Sequence, residues 1–329
     1  MTRAKERPRK VLAVMDDSDT QVALRTAAAL ADRHGASLEA FVCVEPPHDL
    51  AVVAQLAGRD AEGLLADLRE RTLQDMQERI AGVLPDRRID LRLAVGKTFV
   101  EVIRHVIESG CNFVVKAAEP LSGKHRFFFA STDQHLLRKC PCPVWLQTPE
   151  ARPIPRCVLA AVDVDDWDAA EPDTLFSLNR RVIETAREIA APSGAEVIVL
   201  HAWDAVADGM VWAFSSEADT RTTADAYVNE VFDARHKAME RLISRVKQDG
   251  AGSDGAPVFP SLVRGTPERV IEEQSRELGA DVVVMGTVAR TGLSGLFIGN
   301  TAENIINSLQ CPILAVKPDG FVSPLASRP

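Results

Sequence analysis

Apolar residues in the first half of the chain fall into short continuous runs, separated by longer segments with helical spacing. The runs are "KVLAVMD" from Lys10, "SLEAFVCVE" from Ser37, "CNFVVKA" from Cys111 and "CPVWLQ" from Cys142. They are too short for helices and read as strands. A fifth, "IDLRLAVG" from Ile89, alternates and reads as a half-buried strand. Between them the pattern predicts helices over "TQVALRTAAALADRHG", closed by Gly35, over Leu65, Leu68, Leu73, Met76, Ile80 and Val83, over "TFVEVIRHVIES", and over "TDQHLLRK". Strands that are apolar on both faces suit a parallel sheet covered by helices on both sides.

The same order is then written again. Gly96 and Gly265, Gly110 and Gly279, and Cys142 and Cys311 stand in matching segments, each pair 169 positions apart. "VLAVMDDSD" from Val11 matches "VLAAVDVDD" from Val158 at a spacing of 147. The difference of 22 residues must be insertion in the second half, partly in "WDAAEPDTLFSLN" and partly between Trp203 and a long second helix marked by Val228, Val231, Phe232, Met239, Leu242, Ile243 and Val246. A tandem duplication follows, with domains expected at 1–150 and 151–329, joined by the Pro-rich stretch from Gln147 to Cys157. Right-handed crossovers make a doubly wound, Rossmann-like α/β domain of five strands the natural arrangement for each copy, and the sheet order expected is 3-2-1-4-5.

Such sheets place ligands beyond the carboxyl ends of their strands, where the order reverses. That singles out Asp16 and Asp163 after the first strands and the segments after the fourth strands. The acidic groups Asp16, Asp17 and Asp19, and Asp163, Asp165, Asp166 and Asp168, are either Mg²⁺ ligands or polar loops that cap a helix, and capping is the favoured reading. "VGKTF" imitates the end of a Walker loop, but residue 91 is Leu where the loop needs Gly; Thr98 with Glu101 reads as a capping box, and Pro267 as the first residue of the matching helix. His201 ends the second strand of the second half, with Cys43 or Val42 as its counterpart. No catalytic triad or paired catalytic carboxylates can be placed.

Composition narrows the function. A net charge of −9 and a pI near 5.4 disfavour broad attraction to nucleic acid or anionic membranes. The first residues lack a signal-peptide core, and no apolar run reaches the roughly 20 residues of a membrane helix; a cytoplasmic location is expected. Six cysteines are too few for a disulfide scaffold. Cys43, Cys111, Cys157 and Cys311 read as small core residues. Cys140 and Cys142 in "KCPCP" are one Pro apart, with His125 and His135 as the only nearby ligand candidates; a stiff strand entry is favoured and zinc is not expected.

"MGTVARTGLSGLFIGNTAENII", from Met285 to Ile306, carries the most chemistry. Gly lets backbone approach a ligand closely, and a helix starting near Thr301 would aim unpaired N–H groups at the same place. With "CPILAVKP", the duplicated strand order and the Asp ending the first strand, this stretch resembles the universal stress protein family, specifically its tandem E-type members. The resemblance covers nearly the whole chain.

It implies a nucleotide-binding pattern of Gly, two residues, Gly, nine residues, Gly, then Ser or Thr. Here those positions hold Gly286, Ala289, Gly299 and Asn300, followed by Thr301. It further implies ATP as the ligand of the second domain, Asp163 as its adenine or ribose contact, Ala202 as a backbone contact on the second strand, and Gly286, Ala289, Gly299, Asn300 and Thr301 along the phosphates; Mg²⁺ could accompany them on the clustered carboxylates. The first half has Ala117, Pro120, Ala130 and Ser131 in the pattern, with Phe127, Phe128 and Phe129 beside it, which reads as a filled pocket or an apolar, acyl-type ligand site. The resemblance also implies antiparallel pairing of the two last strands, an internal pseudo-dimer, with a homodimer of chains as a further state. The expected function is a stress-response protein that binds a small ligand and acts through protein partners or conformation. The alternatives are a slow Mg²⁺-dependent nucleotide hydrolase, a binder of non-nucleotide ligands, and a scaffold.

Overall fold

A computed structural model describes residues 10–17, 20–118, 131–165, 171–205, 220–249, 255–287 and 300–326. Two compact units emerge. Unit 1 comprises Met1–Ile154, Gly295–Phe297 and Gln310–Pro329; unit 2 comprises Pro155–Ser294 and Ile298–Leu309.

Unit 1 begins with β1 (Lys10–Met15), α1 (Gln21–His34) and β2 (Ser37–Val44), then a short helix α2 (Leu50–Leu56) and the long α3 (Ala61–Val83). It continues through β3 (Asp90–Val95), α4 (Thr98–Ser109), β4 (Phe113–Ala117), α5 (Ser131–Lys139) and β5 (Val144–Gln147). Parallel pairing gives the order β3-β2-β1-β4-β5, the order expected. β4 is buried along its whole length and β1 from Val11 onward, and α1 lays Ala23, Leu24, Ala27, Ala28, Leu30 and Ala31 into the core. Small side chains on α1 let it sit close to the sheet.

In unit 2, β6 (Cys157–Ala161), α6 (Pro172–Ala190), β7 (Glu196–Trp203), α7 (Thr220–Asp249), β8 (Val258–Arg264), α8 (Pro267–Glu277), β9 (Val282–Gly286) and α9 (Asn300–Ser308) repeat the plan. Its strands run parallel in the order β9-β6-β7-β8. The last strand, β10 (Ile313–Val316), is counted in unit 1, where it pairs antiparallel with β5 through Ile313 and Leu146, Leu314 and Trp145, and Ala315 and Val144. The antiparallel pairing expected of the last strands is present.

Strand register settles how the copies correspond. Val14 lies opposite Phe41, and Ala161 opposite Leu200; Val42 lies opposite Leu93, and His201 opposite Leu262. The counterpart of His201 is therefore Val42, and that of Cys43 is Ala202. Two of the sequence expectations concerning helix starts divide. Pro267 is the first residue of α8, where its missing N–H costs nothing. Thr98 is instead the first helical residue of α4, after Lys97, and caps nothing; its N–H donates to the Glu45 carboxylate at 2.6 Å.

Candidate functional site

Within each unit the carboxyl ends of strands one, two and four converge. In unit 2 they deliver Val162 to Asp165 after β6, His201 and Ala202 at the end of β7, and Gly286 at the end of β9. Asp163, Ala202 and Gly286 are thus brought to one end of one sheet. Asn300 and Thr301 open α9, whose backbone alone is described there. Ala289 and Gly299, with Asp166, Asp168, Arg290 and Trp212, lie outside the described residues.

The turn after β6 is fastened by Asn179 of α6. The Asp163 N–H donates to Asn179 Oδ1 at 3.0 Å, and Asn179 Nδ2 donates to the Asp163 carbonyl at 2.5 Å. One buried amide thereby satisfies both backbone groups of Asp163, since it offers a donor and an acceptor side by side. The Asp163 side chain accepts from the Asp165 N–H at 3.1 Å, an Asx-type turn. This aspartate shapes the loop, and α6 begins after Glu171 with no side-chain cap, so the capping role expected for the acidic group is not what it performs.

Behind the turn lies a charged set that sequence reasoning did not assemble. His201 is buried, with Nε2 3.5 Å from Asp165 Oδ1, while Arg235 Nε of α7 stands 3.2 Å from the same oxygen. His201 Nδ1 lies 3.4 Å from the Val164 N–H and 3.3 Å from the Val162 carbonyl, and its tautomer decides which of the two it serves. One ligand atom each of Asp163, Asp165 and His201 lies within 4.8 Å of the others, a donor set suited to a divalent cation. Arg235 already supplies positive charge to Asp165.

Gly286 has a packing reason to be Gly. A Cβ there would stand 2.5 Å from Leu178 Cδ2 and 2.8 Å from its Cγ, and Leu178 is itself buried on α6. Close approach of α6 to β9 explains this glycine without a ligand.

At the matching end of unit 1 the chemistry differs. Lys116, fully buried in β4, places Nζ 2.7 Å from Asp16 Oδ2 and 3.0 Å from Asp133 Oδ1, and donates to the Ala117 carbonyl at 2.9 Å. Asp133 on α5 is also fully buried. Two carboxylates and a carbonyl around one ammonium offset the cost of burying it. Ser131 begins α5; Pro120, Phe127, Phe128, Phe129 and Ala130 lie outside the described residues, and with them the apolar pocket expected there.

A third cluster sits at the amino end of unit 1's strands. Buried Glu39 faces Lys10 at 3.3 Å, Arg92 at 3.3 Å and His105 at 3.1 Å, with Cys111 within metal-ligand distance. Burial alone raises the Glu39 pKa, but His105 and Lys10 together hold it below the usual carboxylate value. With Lys10, Arg92 and the His105 ring gathered on one carboxylate, this is an ion cluster rather than a metal site. His125 is outside the described residues; His135 stacks on Phe99 with ring centroids 4.1 Å apart, and burial, with Lys139 and Arg138 nearby, lowers its pKa.

Comparison with known proteins agrees with this architecture. The chain is 28% identical over 322 residues to universal stress protein E of Escherichia coli K12, covering 96% of each, and 26% identical over 322 residues to universal stress protein E of Photorhabdus laumondii, again covering 96% of each. Among solved structures, a functionally unknown protein from Pseudomonas aeruginosa PAO1 superposes with a TM-score of 0.61 at 26% identity, over 95% of this chain and 93% of that one. No helix among the described residues is long and apolar enough to cross a membrane. The universal stress protein family matches residues 8–147 and again 176–317, and the chain belongs to that family as a tandem pair.

Proposed function

We propose that the protein is a cytoplasmic stress-response component that binds one adenine nucleotide, ATP, at the carboxyl end of the unit 2 strands, and acts through that bound state rather than as an efficient catalyst. The working division is a first domain of residues 1–150, whose ligand end is filled from within, and a second of residues 151–329 that carries the site. One observation carries the reading. The position of Lys116, which engages Asp16 in unit 1, is Met285 in unit 2, so no lysine of the fourth strand competes with a ligand for Asp163.

In this reading Asp163 and the Ala202 backbone hold the nucleoside, and Gly286, Ala289, Gly299, Asn300 and Thr301 run along the phosphates, where the α9 amino terminus favours negative charge. Asp163, Asp165 and His201 supply oxygen and nitrogen donors suited to Mg²⁺ or a related cation accompanying those phosphates. The same donors favour, as a second reading, slow metal-dependent hydrolysis of the nucleotide. A chain of net charge −9 is not expected to take nucleic acid as a partner.

Native mass spectrometry of the freshly purified full chain, followed by calorimetric titration with ATP with and without Mg²⁺, tests this. The expected result is one nucleotide per chain, with Asp163→Ala weakening binding by roughly tenfold or more, about 1.4 kcal/mol. No uptake at millimolar ATP, with or without Mg²⁺, overturns it.

A further inference from the structure

Cys140 and Cys142 flank Pro141 between α5 and β5, at the end of unit 1's sheet opposite Asp16 and Lys116. Both are buried, and their Sγ atoms lie 3.6 Å apart. The segment is fixed on both sides: the Cys140 N–H donates to the Leu136 carbonyl at 3.0 Å, and the Pro143 carbonyl accepts from Val114 at 3.0 Å. Beside them the Lys317 side chain, buried at the end of β10, donates from Nζ to the Leu137 carbonyl at 2.6 Å and passes over Phe321 at 5.0 Å.

The six thiols are not alike. Burial raises the pKa of Cys43, to about 11, and those of Cys111 and Cys157. Cys140 goes the other way: burial raises its pKa, but the hydrogen bond with Cys142 and the Lys317 charge bring it below the ordinary thiol value. Cys142 is pushed well above it by the same hydrogen bond and by burial. Burial draws Lys317 down to about 7, so its proton is readily given up. Two sulfurs 3.6 Å apart need little movement to reach bonding distance, and the nearby ammonium favours Cys140 as the one that gives up its proton. A metal site is less well served. Among the described residues, the sets of three ligand atoms within 4.8 Å are Glu39, His105 and Cys111, and Asp163, Asp165 and His201, and neither contains this pair.

We propose that Cys140 and Cys142 form a reversible oxidation site, converted by a small hydroperoxide to an intramolecular disulfide beside Lys317. The Cys140 thiolate attacks the peroxide oxygen, the O–O bond breaks, and the leaving alkoxide or hydroxide takes a proton from Lys317. Cys142 then attacks the sulfenic sulfur, and its proton leaves with the hydroxyl as water. The pair loses two electrons and the Cys142 proton, and Lys317 gives the second proton; the hydroperoxide becomes an alcohol, or water in the case of hydrogen peroxide, plus one water. A dithiol reductant reverses the change by exchange.

The test uses the full chain, hydrogen peroxide at neutral pH, alkylation and peptide mass spectrometry. Expected are a Cys140–Cys142 peptide lighter by two hydrogens and resistant to alkylation, restored by dithiothreitol, while the other four cysteines remain alkylatable. In Cys142→Ser, dimedone should label Cys140. Lys317→Met should slow oxidation roughly tenfold, and Lys317→Arg, which keeps the charge, should react faster than Lys317→Met; equal slowing in both variants would mean that the lysine acts through packing alone and would remove it from the proposed step. Oxidation of Cys43, Cys157 or Cys311 ahead of the pair, or a pair that stays alkylatable throughout, overturns the proposal.

Discussion

At the end of its first strand unit 1 holds Asp16 2.7 Å from the buried Lys116 ammonium, whereas unit 2 holds Asp163 in a turn fastened by Asn179, with Met285 at the lysine's place. The second carboxylate of unit 1, Asp133, corresponds to Ala302. The copies thus differ by a matched exchange, a buried cation and anion in one, methionine and alanine in the other. Neither half of that exchange would be tolerated alone, because a lone charge at such a site is uncompensated. The amino ends differ in the same sense. Glu39, Arg92, His105 and Lys10 of unit 1 correspond to Ile198, Ser261, Gln274 and Cys157 of unit 2, and the ion cluster has no equivalent. Duplicated backbones have kept their register while one copy took ions into both ends of its sheet and the other kept a polar site at one.

The largest expected effect follows from splitting the exchange. Lys116→Met alone leaves Asp133 buried without its cation and should cost about 3–5 kcal/mol in chemical denaturation. Lys116→Met combined with Asp133→Ala, the pairing that unit 2 uses, should recover most of that loss. A double variant no more stable than the single one would break the comparison, since the two positions would then be uncoupled.

The reverse transplant is smaller and sharpens the functional half. Met285→Lys puts an amine beside Asp163 as Lys116 stands beside Asp16. If unit 2 binds ATP at that aspartate, the new lysine should compete for it and lower affinity by roughly tenfold. Combining it with Ala302→Asp restores charge balance inside the core without restoring binding. Unchanged ATP affinity in a folded Met285→Lys variant would move the nucleotide away from Asp163.

How much of this was legible in the sequence depends on how local the cause is. Strands, helices and duplication were legible because their periods are written in consecutive residues, and spacings of 147 and 169 recur in the strand registers. The counterpart of His201 was ambiguous by one residue because the spacing changes within that stretch, and strand register on both sides assigns Val42. Lys116 was visible as a lysine inside the apolar run "VVKA", a position where a charge is almost never buried without partners. Its partners were not visible, since Asp133 arrives on another helix. Arg235 reaches Asp165 from α7, the Asn179 clamp crosses 16 residues, and Leu178 meets Gly286 across more than a hundred.

The smallest effect tests the amino end. Glu39 is buried, but Arg92 is largely exposed and Lys10 partly so, and water screens much of their attraction. Glu39→Gln should therefore cost only about 1–2 kcal/mol near neutral pH. The pH dependence fixes the sign. Because His105 and Lys10 hold the folded-state pKa of Glu39 below 4.5, its ionised form contributes stability that is complete above that value and is lost as pH falls through the lower folded pKa. The gap between wild type and Glu39→Gln should accordingly close on acidification below about 4.5. Ile198→Gln, at the matching position of unit 2, removes no ion and should give a pH-independent change. A gap at Ile198 that closes in acid as Glu39's does would mean that the amino ends of the two sheets are electrostatically alike, and the contrast between the copies would then be confined to their ligand ends.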